Sequence, residues 1–378
     1  MNIHELETPC LILDKDKLTN NIDSMTRHIS TLGVEFRPHV KTAKCIEIIE
    51  LATEKDCCGI TVSTLKEADY FFEKGIKNII YAVGIAPVKL KHVSSLIKKG
   101  ADILIILDSI EQAKIVASAG KEHNVKYSVL LEIDTDGHRS GIKPFSNELI
   151  EIGKFIHNND HTNLSGILTH AGESYNCRSI EEIQKIAVQE HDLMVSSAEM
   201  LNKNNLPCPI VSIGSTPTAE FTNNLSGITE IRAGVYMFND LVMAGLGVCK
   251  VEDIAISVLA SVIGYQREKN WIIVDAGWMS LSRDRGTANQ KIDQGYGLVC
   301  DIEGKFDSGL IVSGVNQEHG IITTRNREKI NFNNFPIGTM VRILPNHACA
   351  TASAYDCYNV INSNSTDISD VWKRINGW

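Results

Sequence analysis

Residues 37–44 of the chain read Arg37-Pro38-His39-Val40-Lys41-Thr42-Ala43-Lys44. They follow the short apolar run 34–36 and precede a helical pattern over 45–53, so they form the turn between a strand and a helix. In parallel α/β proteins the carboxyl ends of the strands form the rim where ligands bind. The stretch therefore predicts a cluster of cationic side chains at that rim.

Lys41 has two interpretations in this setting. Most lysines near turns only solvate the surface, and on charge alone this is the simpler interpretation. In the other, Lys41 forms a Schiff base, because neighbouring cations such as Arg37 and His39 favour the neutral, nucleophilic amine near neutral pH. The stretch by itself does not distinguish the two.

Composition narrows the class of partner. The 378 residues carry a net charge of -9, with 43% hydrophobic and 22% charged residues. The net negative charge argues against nucleic-acid binding, and no run of lysine and arginine is long enough to bind an anionic membrane. The expected partner is therefore a small molecule. The ten cysteines lack a C-x-x-C pair and the N-terminus lacks a secretory pattern, which predicts reduced thiols and a cytoplasmic location.

Apolar runs alternate with amphipathic helical patterns from residue 9 to about 247, beginning with Cys10-Leu11-Ile12-Leu13. The repeat length of roughly 25 to 35 residues is that of consecutive right-handed βαβ units. We therefore predict an α/β fold with a (β/α)8 TIM-like barrel over 9–247. Beyond 247 the runs continue without helices, which predicts an antiparallel all-β domain over 248–378, joined by residues 1–8.

Polar clusters follow several of the later strands, where the active sites of such barrels collect. Their candidate residues are Arg139 in 134–141, Tyr175 in 169–175, Gly214, Ser215 and Thr216 in 212–218, and Gly234, Val235 and Tyr236 in 232–236. A glycine flanked by hydroxyl residues offers donors to a phosphate. Each cluster also has a structural interpretation, as a glycine turn, a salt-bridged arginine or a helix N-cap.

His347 and Cys349 follow the predicted strand 341–344. In extended backbone, residues two apart point to the same side, so the two side chains could bind one cation together. Imidazole and thiolate suit zinc, and two protein ligands leave positions open for water or substrate. On these residues alone, a buried cysteine beside a hydrogen-bonded histidine is the simpler interpretation. Nucleotide-binding and serine-hydrolase signatures are missing from the sequence.

Together these features resemble the fold-type III pyridoxal-phosphate enzymes, the alanine racemase-like group. Within this group, residues 37–42 resemble the Schiff-base motif of the D-serine dehydratase and D-threonine aldolase branch. The resemblance covers nearly the whole chain. Its further segments are 8–9, 62–68, 212–217, 274–278, 317–320, 347–351 and 376–378.

The resemblance implies pyridoxal phosphate on Lys41, with His39, Arg139 and Tyr175 beside the ring. It implies that the phosphate is bound by Gly214, Ser215 and Thr216 and by the segment Gly234-Val235-Tyr236. It further implies zinc, or manganese or another divalent ion, on His347 and Cys349. Lys41 would remove the Cα proton while the metal binds the β-hydroxyl, which converts D-serine, and also D-threonine or D-3-hydroxyaspartate, to an oxo acid and ammonia.

Other activities remain compatible with the same residues. An aldolase would use the same lysine and metal to give glycine and an aldehyde, although D-threonine aldolases usually carry a carboxylate where this chain has Cys349. A racemase would have no use for a metal that binds a hydroxyl, and a non-catalytic cofactor-binding protein is usually a single barrel. The resemblance also implies a homodimer, and it leaves Glu318 and His319 either near the substrate or bracing the metal ligands.

Overall fold

The computed structural model describes residues 1–53, 57–326 and 328–378. These residues divide into two compact units. The barrel unit combines Met25–Gly234 with Gly377–Trp378, and the second unit combines Met1–Ser24 with Val235–Asn376. Each unit contains one β-sheet.

The strands of the described residues carry the labels used below. In chain order they are β1 (Cys10–Asp14), β2 (Glu35–Pro38), β3 (Ile60–Val62), β4 (Asn78–Gly84), β5 (Asp102–Leu107), β6 (Tyr127–Glu132), β7 (Thr162–Leu168), β8 (Ile210–Ile213), β9 (Glu230–Ala233), β10 (Ile256–Gln266), β11 (Trp271–Val274), β12 (Leu298–Cys300), β13 (Phe306–Val315), β14 (Gly320–Thr324), β15 (Met340–Leu344), β16 (Cys357–Ile361) and β17 (Ile368–Lys373).

The α-helices are labelled in the same way. They are α1 (Lys15–Thr31), α2 (Ile46–Thr53), α3 (Leu65–Glu73), α4 (Leu90–Lys98), α5 (Ile110–His123), α6 (Asn147–His157), α7 (Ile180–Lys203), α8 (Thr216–Phe221), α9 (Leu241–Gly245), α10 (Trp278–Leu281) and α11 (Ala348–Ala352). None of the helices in the described part of the chain has both the length and the apolar character needed to cross a bilayer.

The barrel unit is a closed parallel sheet of eight strands. The order is β2-β9-β8-β7-β6-β5-β4-β3, and all these pairings are parallel. Bridges between Phe36 and Cys57 and between His39 and Thr61 join β2 to the β3 side and close the ring. Its apolar interior includes Ile80, Leu104, Ile106, Leu130 and Leu168. This confirms the predicted (β/α)8 barrel.

Local sequence explains where the helices of this unit begin. Thr64, Ser109, Ser146 and Ser179 each precede a helix, and each side-chain oxygen accepts a hydrogen bond from a backbone N–H of the first turn. Such N-caps stabilise a helix by about 1 kcal/mol each. Four of the strand-to-helix turns therefore have their own start signal in the sequence.

The first strand differs from the prediction. The run that begins at Cys10 was expected in the barrel, but β1 lies in the sheet of the second unit, antiparallel to β10 and parallel to β16. The Asn359 side chain donates to the Leu11 carbonyl oxygen at 3.1 Å, which adds to this pairing. An apolar run before a helix is compatible with either sheet, and strands from the far end of the chain decide between them. The barrel therefore begins at β2.

The second unit is built on a nine-stranded sheet. Its order is β11-β14-β13-β12-β15-β10-β1-β16-β17, and β11 also pairs with β10. The strands β10, β11, β14, β13, β12 and β15 thus form a closed antiparallel ring, from which β1, β16 and β17 extend. A register shift between Val262 and Gly264 lets the long β10 pair with β1 and β15 along its first half and with β11 along its second. The predicted all-β domain is confirmed, with β1–β16 as a parallel pair.

Candidate functional site

Lys41 lies in the turn after β2, at the carboxyl end of the barrel strands. The preceding His39 holds this turn in the barrel, because its backbone N–H donates to the Ala233 carbonyl oxygen at 2.7 Å. The Lys41 side chain is exposed and forms no ion pair with any described residue. An unpaired amine at this rim is available for covalent chemistry.

Lys44, the second lysine of the turn, is occupied by a structural contact. Its Nζ lies 3.1 Å from Glu67 Oε1, and the Glu67 side chain is only 1% exposed. The other Glu67 oxygen accepts the Ser63 N–H at 2.7 Å. The geometry therefore distinguishes the two lysines and leaves Lys41 as the candidate nucleophile.

Arg37 is a structural residue of the barrel and not part of the rim. Its guanidinium lies 2.9 Å from Glu230 Oε2 and donates to Asn78 Oδ1 at 2.6 Å, with 2% of the residue exposed. From the sequence, Arg37 and His39 were predicted to be cations beside Lys41. That expectation is corrected, because Glu230 neutralises the charge of Arg37 and His39 is uncharged.

His39 is neutral because of its surroundings. Burial lowers its pKa well below the ordinary value, and the charges of Lys41 and Arg232 lower it further. Its Nδ1 accepts the Lys41 backbone N–H at 3.4 Å, so the ring proton lies on Nε2, which is 3.4 Å from Ser63 Oγ. His39 thus binds the turn that carries Lys41 without adding charge to it.

His170 lies at the same end of the barrel, although no role was predicted for it. Burial and the charge of Lys41 lower its pKa to about 3. Its Nδ1 donates to the Gly214 carbonyl oxygen at 3.0 Å, which leaves Nε2 as an unprotonated acceptor. Like Lys41, it directly follows a barrel strand, and that position was the signal available in the sequence.

Arg139 and Tyr175 both lie near His170. The ring centroids of Tyr175 and His170 are 6.2 Å apart. Arg139 is half exposed, lies 3.8 Å from Glu132 at the limit of an ion pair, and lines one polar pocket with His138 and His170. The structure therefore groups both predicted residues with a histidine that the prediction omitted.

Gly214, Ser215 and Thr216, here called the cup, form the turn between β8 and α8. Gly214 has φ +131°, and a Cβ there would lie 2.2 Å from the Arg232 carbonyl oxygen, so only glycine fits. The Ser215 N–H donates to Thr218 Oγ1 at 3.1 Å. The Thr216 hydroxyl is buried and has no hydrogen-bond partner among the described residues. A buried hydroxyl without a partner indicates a missing ligand, and a phosphate oxygen would supply one.

Arg232 gives this rim a buried positive charge. Its guanidinium donates to Ser212 Oγ at 2.5 Å and to the Thr169 carbonyl oxygen, which ties the ends of three strands together. Burial lowers its pKa to about 10, so it remains charged at neutral pH. Arg232 belongs to the predicted cluster 232–236, but no function was predicted for it.

Gly234 ends the barrel unit, next to the turn that carries Lys41. A Cβ on Gly234 would lie 3.1 Å from the His39 carbonyl oxygen, so the glycine allows a close approach. Val235 and Tyr236 belong to the second unit, where Val235–Met237 forms a buried turn of 3-10 helix. Their role toward a phosphate stays a prediction.

His347 and Cys349 lie in the second unit and contact each other. The His347 side chain is hydrogen-bonded to Cys349 and, through Nδ1, to Asp284 Oδ2 at 2.7 Å. Burial lowers the pKa of His347, but these two hydrogen bonds and the charges of Cys349 and Asp240 outweigh burial and raise it.

The backbone that produces this contact differs from the expected one. An extended segment was predicted, whereas only His347 is extended and Cys349 lies in the first turn of α11. The helix begins here because the Ala348 N–H donates to Asp240 Oδ2 at 3.0 Å, a contact that sequence spacing does not reveal. The two side chains meet across a helix start and not along a strand.

Asp284 is a further residue that the sequence did not indicate. A carboxylate that holds one ring nitrogen of a histidine orients the other nitrogen toward a metal. No group of three or more histidine, cysteine or acidic side chains in the described ranges could hold a metal. A pair of ligands leaves positions open, as expected of a catalytic ion.

Glu318 and His319 are exposed in the turn between β13 and β14.

Two domain families cover most of the chain. Residues 13–241 match the alanine racemase N-terminal domain, and residues 255–361 match the putative serine dehydratase domain. The chain belongs to the alanine racemase-like enzymes. The resemblance seen in the motifs is thereby confirmed.

Curated relatives match over the full length. The chain is 46% identical to D-threo-3-hydroxyaspartate dehydratase of Delftia sp. (strain HT23), over 99% of this chain and 98% of that protein. It is 34% identical to D-serine dehydratase of Dictyostelium discoideum, over 100% and 98%. A cysteine-to-alanine variant of D-threo-3-hydroxyaspartate dehydratase, solved in the metal-free form, superposes with a TM-score of 0.97 at 45% identity and complete coverage of both chains.

Alanine racemase-like enzymes of this kind depend on pyridoxal phosphate. The barrel unit fits that group. Among the described residues it offers Lys41 without an ion-pair partner, the neutral His39 and His170, the buried Arg232, and the Thr216 hydroxyl without a hydrogen-bond partner. The second unit fits a divalent cation, since it offers a histidine nitrogen and a thiol already in contact.

Proposed function

We propose that the protein is a pyridoxal-phosphate- and metal-dependent dehydratase of β-hydroxy-D-amino acids. The observation that carries the proposal is the contact between His347 and Cys349 in a chain of this family. Elimination of water needs an acid at the β-hydroxyl, and a borderline-soft ligand pair with open positions suits a Lewis-acidic ion such as zinc. A racemase would have no use for such an ion.

Residues of the barrel unit would bind the cofactor and move the Cα proton. Lys41 would hold pyridoxal phosphate, which supplies an electron sink for the pair left at Cα. The Lys41 amine would remove the Cα proton. The Thr216 hydroxyl would bind a phosphate oxygen, and the positive charge of Arg232 would balance the negative charge of the phosphate. His170 and Arg139 orient the ring from the side of their shared pocket.

His347 and Cys349 would hold the ion, which polarises the substrate's β-hydroxyl so that it can leave. The proton lost from Cα and the hydroxyl lost from Cβ make one water. Hydrolysis of the resulting enamine then gives an oxo acid and ammonium, so the overall reaction is a deamination.

Three substrates belong to the proposed class. D-Serine would give pyruvate, D-threonine 2-oxobutyrate and D-threo-3-hydroxyaspartate oxaloacetate. The 46% identity to D-threo-3-hydroxyaspartate dehydratase supports including the last of these. We further propose zinc as the native ion and a homodimer as the assembly. Metal analysis of the purified protein and sedimentation velocity test these two points.

Product analysis tests the reaction. The protein is incubated with each D-amino acid and with L-serine, before and after chelation and after zinc is restored. We expect oxo acid and ammonia in equal amounts from the D-substrates only, lost with the chelator and regained with zinc. Glycine plus an aldehyde would show an aldolase instead, and no product from any substrate would contradict the enzymatic proposal.

A paired variant tests the metal ligand. Cys349→Ser should lose bound zinc and most of the activity, because a hydroxyl is a poor zinc ligand at neutral pH. Cys208→Ser is the matched control, since Cys208 is a half-buried thiol in the barrel unit whose Sγ lies 3.7 Å from the Ile210 carbonyl oxygen. Equal zinc content in both variants would contradict the assignment of Cys349.

A further inference from the structure

Glu190 is a buried carboxylate next to the cup that the proposed reaction does not use. It lies on α7, and only 1% of the residue is exposed. Its Oε1 accepts the Gly214 N–H at 2.9 Å. Its Oε2 is buried and accepts no hydrogen bond from the residues that the structure describes. A buried, ionised carboxylate with one unsatisfied oxygen is costly, so Oε2 is a favourable place for a proton.

Opposing effects keep the pKa of Glu190 near neutral pH. Burial raises its pKa most, and the charge of Asp136 raises it further. The Gly214 N–H, the nearby Thr218 hydroxyl and the Arg232 guanidinium lower it, and the resulting pKa is about 7. A small change in the local charge therefore changes its protonation at neutral pH.

Other charged groups lie on the elements packed against α7. The strands β7 and β8 carry none. The remaining ones are Glu148, Glu151, Lys154 and His157 of α6, Glu173 of the 3-10 helix Gly172–Asn176, and Glu220 of α8. Glu173 is hydrogen-bonded to His138 at 2.7 Å, and His28 acts on Glu220. Arg232 and Asp136 are the charged groups with the largest effect on Glu190.

We propose that Glu190 is a positioning residue for the cup and that it takes up a proton when a phosphate monoester binds there. The inference rests on the proposed cofactor site. A phosphate brings negative charge beside Gly214 and Thr216, which disfavours an ionised carboxylate next to them. A protonated Glu190 no longer repels the phosphate, and its Oε1 still accepts the Gly214 N–H and holds the turn.

Proton uptake makes the affinity depend on pH. When one proton is bound together with the ligand, affinity falls by up to about tenfold per pH unit above the pKa of the free protein's group. A glutamine at position 190 keeps the acceptor for Gly214 and is permanently neutral. The Glu190→Gln variant should therefore bind a phosphate monoester without this dependence.

Calorimetry with pyridoxine 5′-phosphate tests the proposal. This compound lacks the aldehyde, so it cannot bond covalently to Lys41. It is titrated into the full-length protein freed of cofactor, in two buffers of different ionisation enthalpy, and proton uptake is taken from the difference in heat. The ligand's own titration is common to all variants and cancels between them.

We expect wild type to take up more protons than Glu190→Gln near neutral pH. At pH 9 the variant should bind pyridoxine 5′-phosphate at least about tenfold more tightly than wild type, because binding to wild type then requires the uptake of one proton. Glu199→Gln is the matched control, because Glu199 lies on the same helix with its side chain 60% exposed. It should behave like wild type.

The outcomes separate this inference from the cofactor proposal. Equal proton uptake and pH dependence in wild type and Glu190→Gln would overturn the inference alone. No binding to wild type would overturn the cup as a phosphate site as well. If Glu190→Gln fails to fold, infrared difference spectra of wild type decide, since a protonated carboxyl band must appear on binding and its absence overturns the inference.

Discussion

The two lysines after β2 differ in what surrounds them, and this difference can be measured. Lys41 has no carboxylate partner among the described residues, whereas Lys44 is paired with Glu67 at 3.1 Å. We expect Lys41→Ala to lower kcat by about 10³-fold or more, because the proposed covalent anchor and the proposed base would both be lost. Borohydride reduction should leave no pyridoxal on this variant.

Lys44→Ala serves as the control for that experiment. It should keep the covalently bound pyridoxal and lose stability instead, because removing one partner leaves the Glu67 carboxylate unpaired. Mass spectrometry of the reduced proteins measures the first effect and thermal unfolding the second. Pyridoxal retained on Lys41→Ala but lost from Lys44→Ala would reverse the assignment.

Asp284 should act through His347 and not on the substrate directly. Its hydrogen bond to Nδ1 leaves Nε2 as the ring nitrogen that would face the proposed metal. We expect Asp284→Asn to weaken zinc binding by about 10- to 100-fold, the usual cost of losing such a partner. Competition with a zinc chelator measures the affinity. Asp293→Asn, at a 45% exposed side chain of the same unit, is the control, and equal affinities would contradict the role of Asp284.

At the level of elements, the ion pair between Arg37 and Glu230 joins β2 to β9. Their side chains are 3% and 5% exposed, so an unpaired partner would remain buried. We expect Glu230→Gln to lower the free energy of unfolding by about 3–5 kcal/mol at pH 7. Urea unfolding measures this loss. Glu35→Gln, at an exposed residue of β2, is the control and should change stability little.

The same pair predicts the effect of acid. Burial raises the pKa of Glu230, but the charge and hydrogen bonds of Arg37 and Ser212 lower it by more, so its pKa lies below the ordinary value. A depressed pKa means that the contribution is complete above the unfolded value of about 4.3 and is lost as pH falls through the folded value. The difference between wild type and Glu230→Gln should therefore shrink below about pH 4. An unchanged difference there would argue against the ion pair.

For the whole molecule, the first strand is decisive for the second unit. β1 lies between β10 and β16 in the nine-stranded sheet, although it precedes them by more than 240 residues. We expect removal of residues 1–14 to expose both neighbouring strands and to speed amide exchange throughout that sheet. Removal of Gly377–Trp378 is the control. Unchanged exchange in β10 and β16 would contradict the observed strand order.

Much of the site could be predicted because its signals are local. A strand end, a glycine with hydroxyl neighbours and a histidine near a cysteine are each visible within a few residues, and the structure places them at the expected strand ends. Glu190 and Asp284 carry no such local pattern, and the strand ends beside His170 and Arg232 do not reveal what these two side chains contact. Their roles come from contacts such as that between Gly214 and Glu190, 24 residues apart, or between Asp284 and His347, 63 residues apart.

The sequence by itself determined the alternation of strand and helix, the change to strands after residue 247, and the position of Lys41 at a strand end. These follow from hydrophobic periodicity and helix caps, which act over a few residues. Only the tertiary structure decided that β1 leaves the barrel, that Lys44 and Arg37 are neutralised, and that Cys349 begins a helix. Those outcomes depend on partners far along the chain, such as Glu230, which is 193 residues from Arg37. A buried charge needs an opposite charge and a buried strand edge needs hydrogen-bond partners, but only the fold determines which residues supply them.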